Sequence, residues 1–236
     1  MSKAKVMTFW EHVYEIRNRL LIVLISVLVF SIGCYIVFPL FFHIIHTIID
    51  EQLFATQIAE GFLTRLRISI LGGIFFSIPL FLFQVILFIF PALKKQEKIF
   101  ILLLMLSTFS LFLFGIMFAY KSVLPISMQF LKSEAFFPEN VSRLISYEMF
   151  IGFFFQFLIG FGLCFQFPVV LIFLMKIGVL QVESLIKNFK FVIAGVFLIS
   201  AIITPPDIVS QILLSIPMLL LYSICIIIGK IFKLGK

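Results

Sequence analysis

The chain has 236 residues, 63% of them hydrophobic and only 12% charged, with a formal net charge of +7. Soluble domains run about 45–50% apolar and about 25% charged. The excess rules out a water-soluble globule and requires a bilayer over the apolar surface.

The chain opens on an amphipathic segment, residues 6–19, in which Val6, Phe9, Val13, Ile16 and Leu20 recur at helical spacing. Thr8 and Glu11 have the spacing of a capping box, and Trp10 suits a membrane interface. The segment is expected to lie on the membrane and bend into the first span. Six stretches without Asp, Glu, Lys or Arg follow: Leu20–Ile49, Ile68–Leu93, Ile99–Tyr120, Met149–Met175, Phe191–Pro206 and Ile208–Gly229. A helix needs about 20 apolar residues to cross the hydrocarbon; the fifth stretch is short and calls for local thinning or cover from neighbours. Transmembrane strands would alternate apolar and polar residues, and Ile99–Phe114 does not. The first run is too long for a signal-peptide core of about 7–15 residues, so Leu20 begins an anchor expected to stay.

The longest loops, Asp50–Arg67 and Lys121–Glu148, fall on the side opposite the termini, and Thr204-Pro205-Pro206-Asp207 forms a tight turn there, where proline ends a helix. The terminal side holds 13 of the 18 Lys and Arg and four of the 11 acids, a net +9 against −2 opposite. The positive-inside rule then puts both termini in the cytoplasm or its organellar equivalent. The basic excess is a topology signal, and no nucleic-acid partner is expected. The whole chain, 1–236, reads as one membrane domain.

Walker A, His-Glu-x-x-His and Gly-x-Ser-x-Gly sequences are missing, so no enzyme activity is expected. Cys34, Cys164 and Cys225 lie in apolar runs as packing residues, and no metal or cofactor is expected. His43 and His46, three apart, leave open a haem-anchor reading against that of ordinary interfacial polar groups. Glu15 and Glu97 flank the first two spans on the positive side. There they either receive guanidinium groups or, for Glu15, pair with Arg19 at i,i+4 and, for Glu97, with nearby lysines. The strongest polar groups within the spans are Gln84, Gln156 and Gln166, read as interhelical hydrogen-bonding groups. A small-solute or ion secondary transporter is the alternative function; it would show ionisable groups at depth or repeated halves, and neither is present in the sequence.

Glu11-His12-Val13-Tyr14-Glu15-Ile16-Arg17-Asn18-Arg19-Leu20 resembles the N-terminal signature of TatC, the multi-spanning core subunit of the twin-arginine protein translocase. Ser77-Ile78-Pro79, Gln84 through Phe88 and Pro91-Ala92-Leu93-Lys94-Lys95-Gln96-Glu97 resemble its second span and following loop. Phe118-Ala119-Tyr120 with Pro125, Phe161-Gly162 through Phe165-Gln166-Phe167-Pro168, and Thr204-Pro205-Pro206-Asp207 with Ser210-Gln211 and Ile216-Pro217 resemble later parts in the same order.

The resemblance covers nearly the whole chain. It implies an all-α cup of six transmembrane helices with both termini in the cytoplasm, stroma or matrix. It implies a receptor for twin-arginine signal peptides on folded cargo, working with single-span TatA/TatB-type subunits and other copies of itself, driven by the protonmotive force. The membrane is then a bacterial inner, mitochondrial inner or thylakoid one. Glu15 and Glu97 match the family's acidic pair at the signal-peptide site, with Arg17, Arg19, Phe88 and Pro91 around it. Tyr120 and Asp207 match other family positions. Gln166 departs from the pattern, because many bacterial members carry Glu there.

Overall fold

The computed structural model describes residues 9–49, 52–89, 95–133, 144–204 and 208–235. Within them, the side chains of residues 9, 12, 44–49, 89, 95–98 and 101 fall outside the description. Thr8, Pro91 and Asp207 lie outside the described residues altogether.

Nearly all of the described chain is helical because a bilayer leaves the backbone no other partners than its own. Helix α1 (Phe9–Ile49) runs unbroken for 41 residues, with Pro39 inside it. At 1.5 Å per residue it is about 60 Å long, twice a hydrocarbon core of about 30 Å. Residues 9–19 continue into the first apolar run as one helix, with no helix boundary before Leu20. Leu21, Leu24, Ile25, Leu28, Ile32 and Ile36 are all exposed on α1, an apolar surface suited to lipid.

Helix α2 (Glu60–Ile89) starts eight residues before the charge-free stretch that marks it in the sequence. Glu60, Arg65 and Arg67 thus sit in its first turns, and the expected loop Asp50–Arg67 is correspondingly shorter. Glu60 makes the start possible: its carboxylate accepts from the backbone N–H of Gln57 at 3.1 Å, and its charge lies at the positive end of the helix. Helix α3 spans Lys95–Phe118.

After α3, residues Ala119–Val123 form a π-helical turn leading into α4 (Leu124–Leu131). The cause is Pro125, whose ring would clash with the carbonyl four residues back. The widened turn lets the Leu124 N–H bond to Ala119 O instead. The helix therefore continues past Tyr120 to Leu131, where the sequence predicts a loop from Lys121. The two longest loops of the sequence reading also meet: β1 (Leu53–Phe54) pairs in parallel with β2 (Ile145–Ser146), Leu53 against Ile145.

Ser146 then caps α5 (Tyr147–Cys164) by accepting from the Met149 N–H. The fourth apolar stretch is two helices, because Pro168 falls in the first turn of α6 (Phe167–Lys176). Helix α7 (Val182–Lys187) is short, α8 (Phe189–Ile203) has 15 residues, and α9 (Ile208–Ile231) has 24. Among the described residues, five helical segments are long and apolar enough to cross a membrane, and α8 is a shorter apolar helix.

The chain divides into two compact units, one formed by Met1–Thr47 with Gln57–Phe109 and the other by Ile48–Thr56 with Ser110–Lys236. In the second unit, Tyr222 on α9 is almost fully buried among Leu171, Met175, Val182, Leu185 and Cys225. Its hydroxyl donates to Leu185 O at 2.9 Å. The short α8 is held by polar stitches from both neighbours. Gln156 Nε2 on α5 donates to Ile203 O at 2.9 Å, and Gln211 Nε2 on α9 donates to Phe197 O at 3.0 Å. Ser200 and Ser215, both fully buried, share a hydrogen bond of 2.7 Å. The first of these bonds satisfies the Ile203 carbonyl, which at the C-terminal end of α8 has no intrahelical donor, and the other two tie α8 to α9.

Candidate functional site

The site lies in the first unit, on the N-terminal turns of α1 and the C-terminal part of α2. Helical spacing puts Glu11, Glu15, Asn18 and Ile22 on one face of α1. With Tyr14, Arg19 and Gln84 they line a cavity of about 480 Å³. Arg19 is its hub. Its Nε and Nη2 donate to Glu15 Oε1 at 3.1 and 2.5 Å. Its Nη1 donates to Gln84 Oε1 at 2.9 Å, and Nη2 also reaches Leu87 O at 3.3 Å. The Glu15 and Arg19 side chains are 19% and 21% exposed, so the pair is screened by protein on most sides.

Within one helix, a Glu–Arg pair at i,i+4 is worth only a few tenths of a kcal/mol. The link to Gln84 and Leu87 on α2 makes it an interhelical contact as well. Sequence reasoning finds both Gln84 and Arg19 but does not join them. The signal is the pairing of a polar residue on α2 with a charged one on α1 at the same depth, which requires knowing how the two helices are registered.

Arg17 points elsewhere. It is exposed, its guanidinium lies 4.9 Å from the centre of the Tyr14 ring, and it donates to Asn18 Oδ1 at 3.3 Å. Phe88 lines a second, smaller cavity of about 220 Å³ with Ile16, Leu20, Val23, Phe81 and Val85. Arg19 and Gln84 belong to both cavities. A charged, hydrogen-bonding recess thus adjoins an apolar one. That combination suits a peptide carrying a cation next to an apolar side chain.

Glu97 belongs to the first turn of α3 by its backbone, and its side chain lies outside the described residues, as does Pro91. The structure therefore describes one member of the expected acidic pair. His46 likewise falls outside the described side chains.

The remaining expected residues are in the second unit. Tyr120 sits in the π-helical turn, its ring edge-on to Phe154 with centroids 6.4 Å apart. Gln166 occupies the junction between α5 and α6 and is 4% exposed. Its backbone N–H donates to Leu163 O, and its own carbonyl accepts from Val170 N. The break in the helix thus places the amide among buried side chains, where it needs hydrogen-bonding partners.

A sequence profile described as Sec-independent protein translocase protein (TatC) matches residues 11–217. The chain belongs to the TatC family. It is 36% identical over 233 residues to the Sec-independent protein translocase protein TatC of Carboxydothermus hydrogenoformans, covering 97% of this chain and 95% of that one. It is 36% identical to the TatC protein of Aquifex aeolicus, covering 95% of each chain. The fold is similar to the crystal structure of the twin arginine translocase receptor TatC in DDM. The TM-score is 0.81 at 34% identity, over 92% of this chain and 99% of that one. TatC membership and the run of apolar helices together make this a multi-pass integral membrane protein of the Sec-independent translocase.

Proposed function

We propose that this chain is the signal-peptide receptor of a twin-arginine translocase, which moves folded proteins across an energy-transducing membrane using the protonmotive force. Glu15, together with Glu97, accepts the guanidinium groups of the signal peptide. Arg17, Arg19, Phe88 and Pro91 shape the surrounding patch. Gln166, Tyr120 and Asp207 make partner or intramembrane polar contacts, the partners being single-span TatA/TatB-type subunits or other copies of this chain. The chain crosses the membrane six times, α8 being the short fifth span, with both termini on the positively charged side.

One observation supports this reading above the others. The carboxylate of Glu15 lies in a 480 Å³ recess already engaged with a guanidinium, and an apolar recess adjoins it. A carboxylate that holds one guanidinium through two N–H groups has the chemistry to hold another.

The test is a photo-crosslinking map. A synthetic signal peptide with a photoreactive group beside its two arginines is added to the protein in nanodiscs. The adducts are expected at Glu11–Ile22 and Gln84–Phe88. Adducts confined to α8 and α9 would refute the assignment.

A further inference from the structure

Arg19 presents Glu15 with the same group that the peptide would bring. It also has somewhere else to go, since Nη1 already donates to Gln84 Oε1 at 2.9 Å and Nη2 to Leu87 O at 3.3 Å. We infer that Arg19 is a resident guanidinium that an incoming arginine displaces from Glu15, and that Gln84 is the positioning residue that receives it. The inference rests on reading Glu15 as the acceptor of the peptide's arginine.

The physical case starts from burial. At 19% exposure, a Glu15 carboxylate left without a cation would carry a heavy desolvation cost. Arg19 removes that cost in the empty state. When the peptide's guanidinium takes Oε1, Arg19 gives up its Nε and Nη2 bonds to Glu15 and keeps those to α2. One planar fork replaces another, so the carboxylate is never uncovered. The exchange also favours arginine over lysine, because a compact ammonium does not reproduce the two bonds that Arg19 makes to Oε1. Without Gln84, a displaced Arg19 would keep on α2 only the longer bond to Leu87 O, and displacement would be disfavoured.

The experiment measures the affinity of a twin-arginine peptide and its twin-lysine counterpart for the full chain in nanodiscs. Gln84→Leu removes the receiving group, and a roughly tenfold weaker twin-arginine affinity is expected. Gln84→Glu offers Arg19 a second carboxylate, and a tighter affinity is expected. That gain disappears when Glu15→Gln is added, since no acceptor is then freed. Thermal unfolding of each variant in the same nanodiscs accompanies the binding data, and Gln84→Asn, one methylene too short to reach, replaces Gln84→Leu if the latter fails to insert. Both Gln84 variants shifting affinity in the same direction would overturn the inference. So would a gain that survives Glu15→Gln, which would mean Gln84→Glu attracts the peptide directly. A wild-type chain that binds the two peptides equally would overturn the receptor reading, and this inference with it.

Discussion

Arg65 on α2 donates two hydrogen bonds, at 3.1 and 2.6 Å, to the carbonyl oxygen of Tyr35 on α1. In a helix without proline that carbonyl would accept from the N–H four residues later, but position 39 is proline and has none. The guanidinium also lies 4.1 Å from the centre of the Tyr35 ring. Arg65 thus fills the hydrogen-bonding gap that Pro39 opens, and does so from another helix.

The pairing predicts a coupled pair of substitutions. Arg65→Met leaves the Tyr35 carbonyl unsatisfied and should cost about 1–3 kcal/mol. Pro39→Ala restores the intrahelical N–H, so Arg65→Met should cost less in that background. Thermal unfolding in detergent of the four proteins of the cycle measures the coupling; strict additivity would show that Arg65 and Pro39 act separately.

At Gly73 the backbone of α2 comes close to that of α1. A Cβ there would lie 2.7 Å from both the Ser31 backbone nitrogen and the Val27 carbonyl oxygen. Backbone cannot rotate aside as a side chain does, so Gly73→Ala should cost about 1–3 kcal/mol through forced separation. Gly152→Ala, with nothing near its Cβ, should leave the unfolding temperature almost unchanged. Equal effects from the two would contradict the close packing at Gly73.

The spans are legible in the sequence because charge is costly in hydrocarbon, and charge-free runs therefore mark them. The same criterion fails at their ends. Glu60, Arg65 and Arg67 belong to α2, where helix-end charge, a capping bond and the Tyr35 carbonyl accommodate them. Likewise Lys121 is inside the continuous helical path that Pro125 widens without breaking. The site is half legible. Glu15 and its i,i+4 partner Arg19 are local and can be read from spacing. The Gln84 contact spans 65 residues of chain, and the β1–β2 pairing joins two loops with no alternating pattern; nothing local encodes either.

Gln166 separates a structural from a translocating role. Its burial at the α5–α6 junction keeps its amide from lipid, and an amide both donates and accepts. Gln166→Leu is expected to abolish cargo transport while signal-peptide affinity and thermal stability hold. Normal transport by this variant, measured in inverted vesicles, would remove Gln166 from the partner contacts.

Topology follows from the charge partition. Cysteines placed at Lys187 and Lys132, after replacement of Cys34, Cys164 and Cys225, should label from opposite faces of sealed vesicles, with Lys187 on the side of the termini. Labelling of both from one face would contradict six spans.

The central claim is that this chain recognises paired arginines through Glu15. Its most direct test is the affinity of a purified signal peptide for the protein in nanodiscs, read by fluorescence anisotropy with paired arginines and with paired lysines. The twin-arginine peptide should bind more tightly, and Glu15→Ala should remove about 1.5–3 kcal/mol of that binding while the protein stays inserted and folded. Equal affinity for the two peptides, unchanged by Glu15→Ala, would contradict the account.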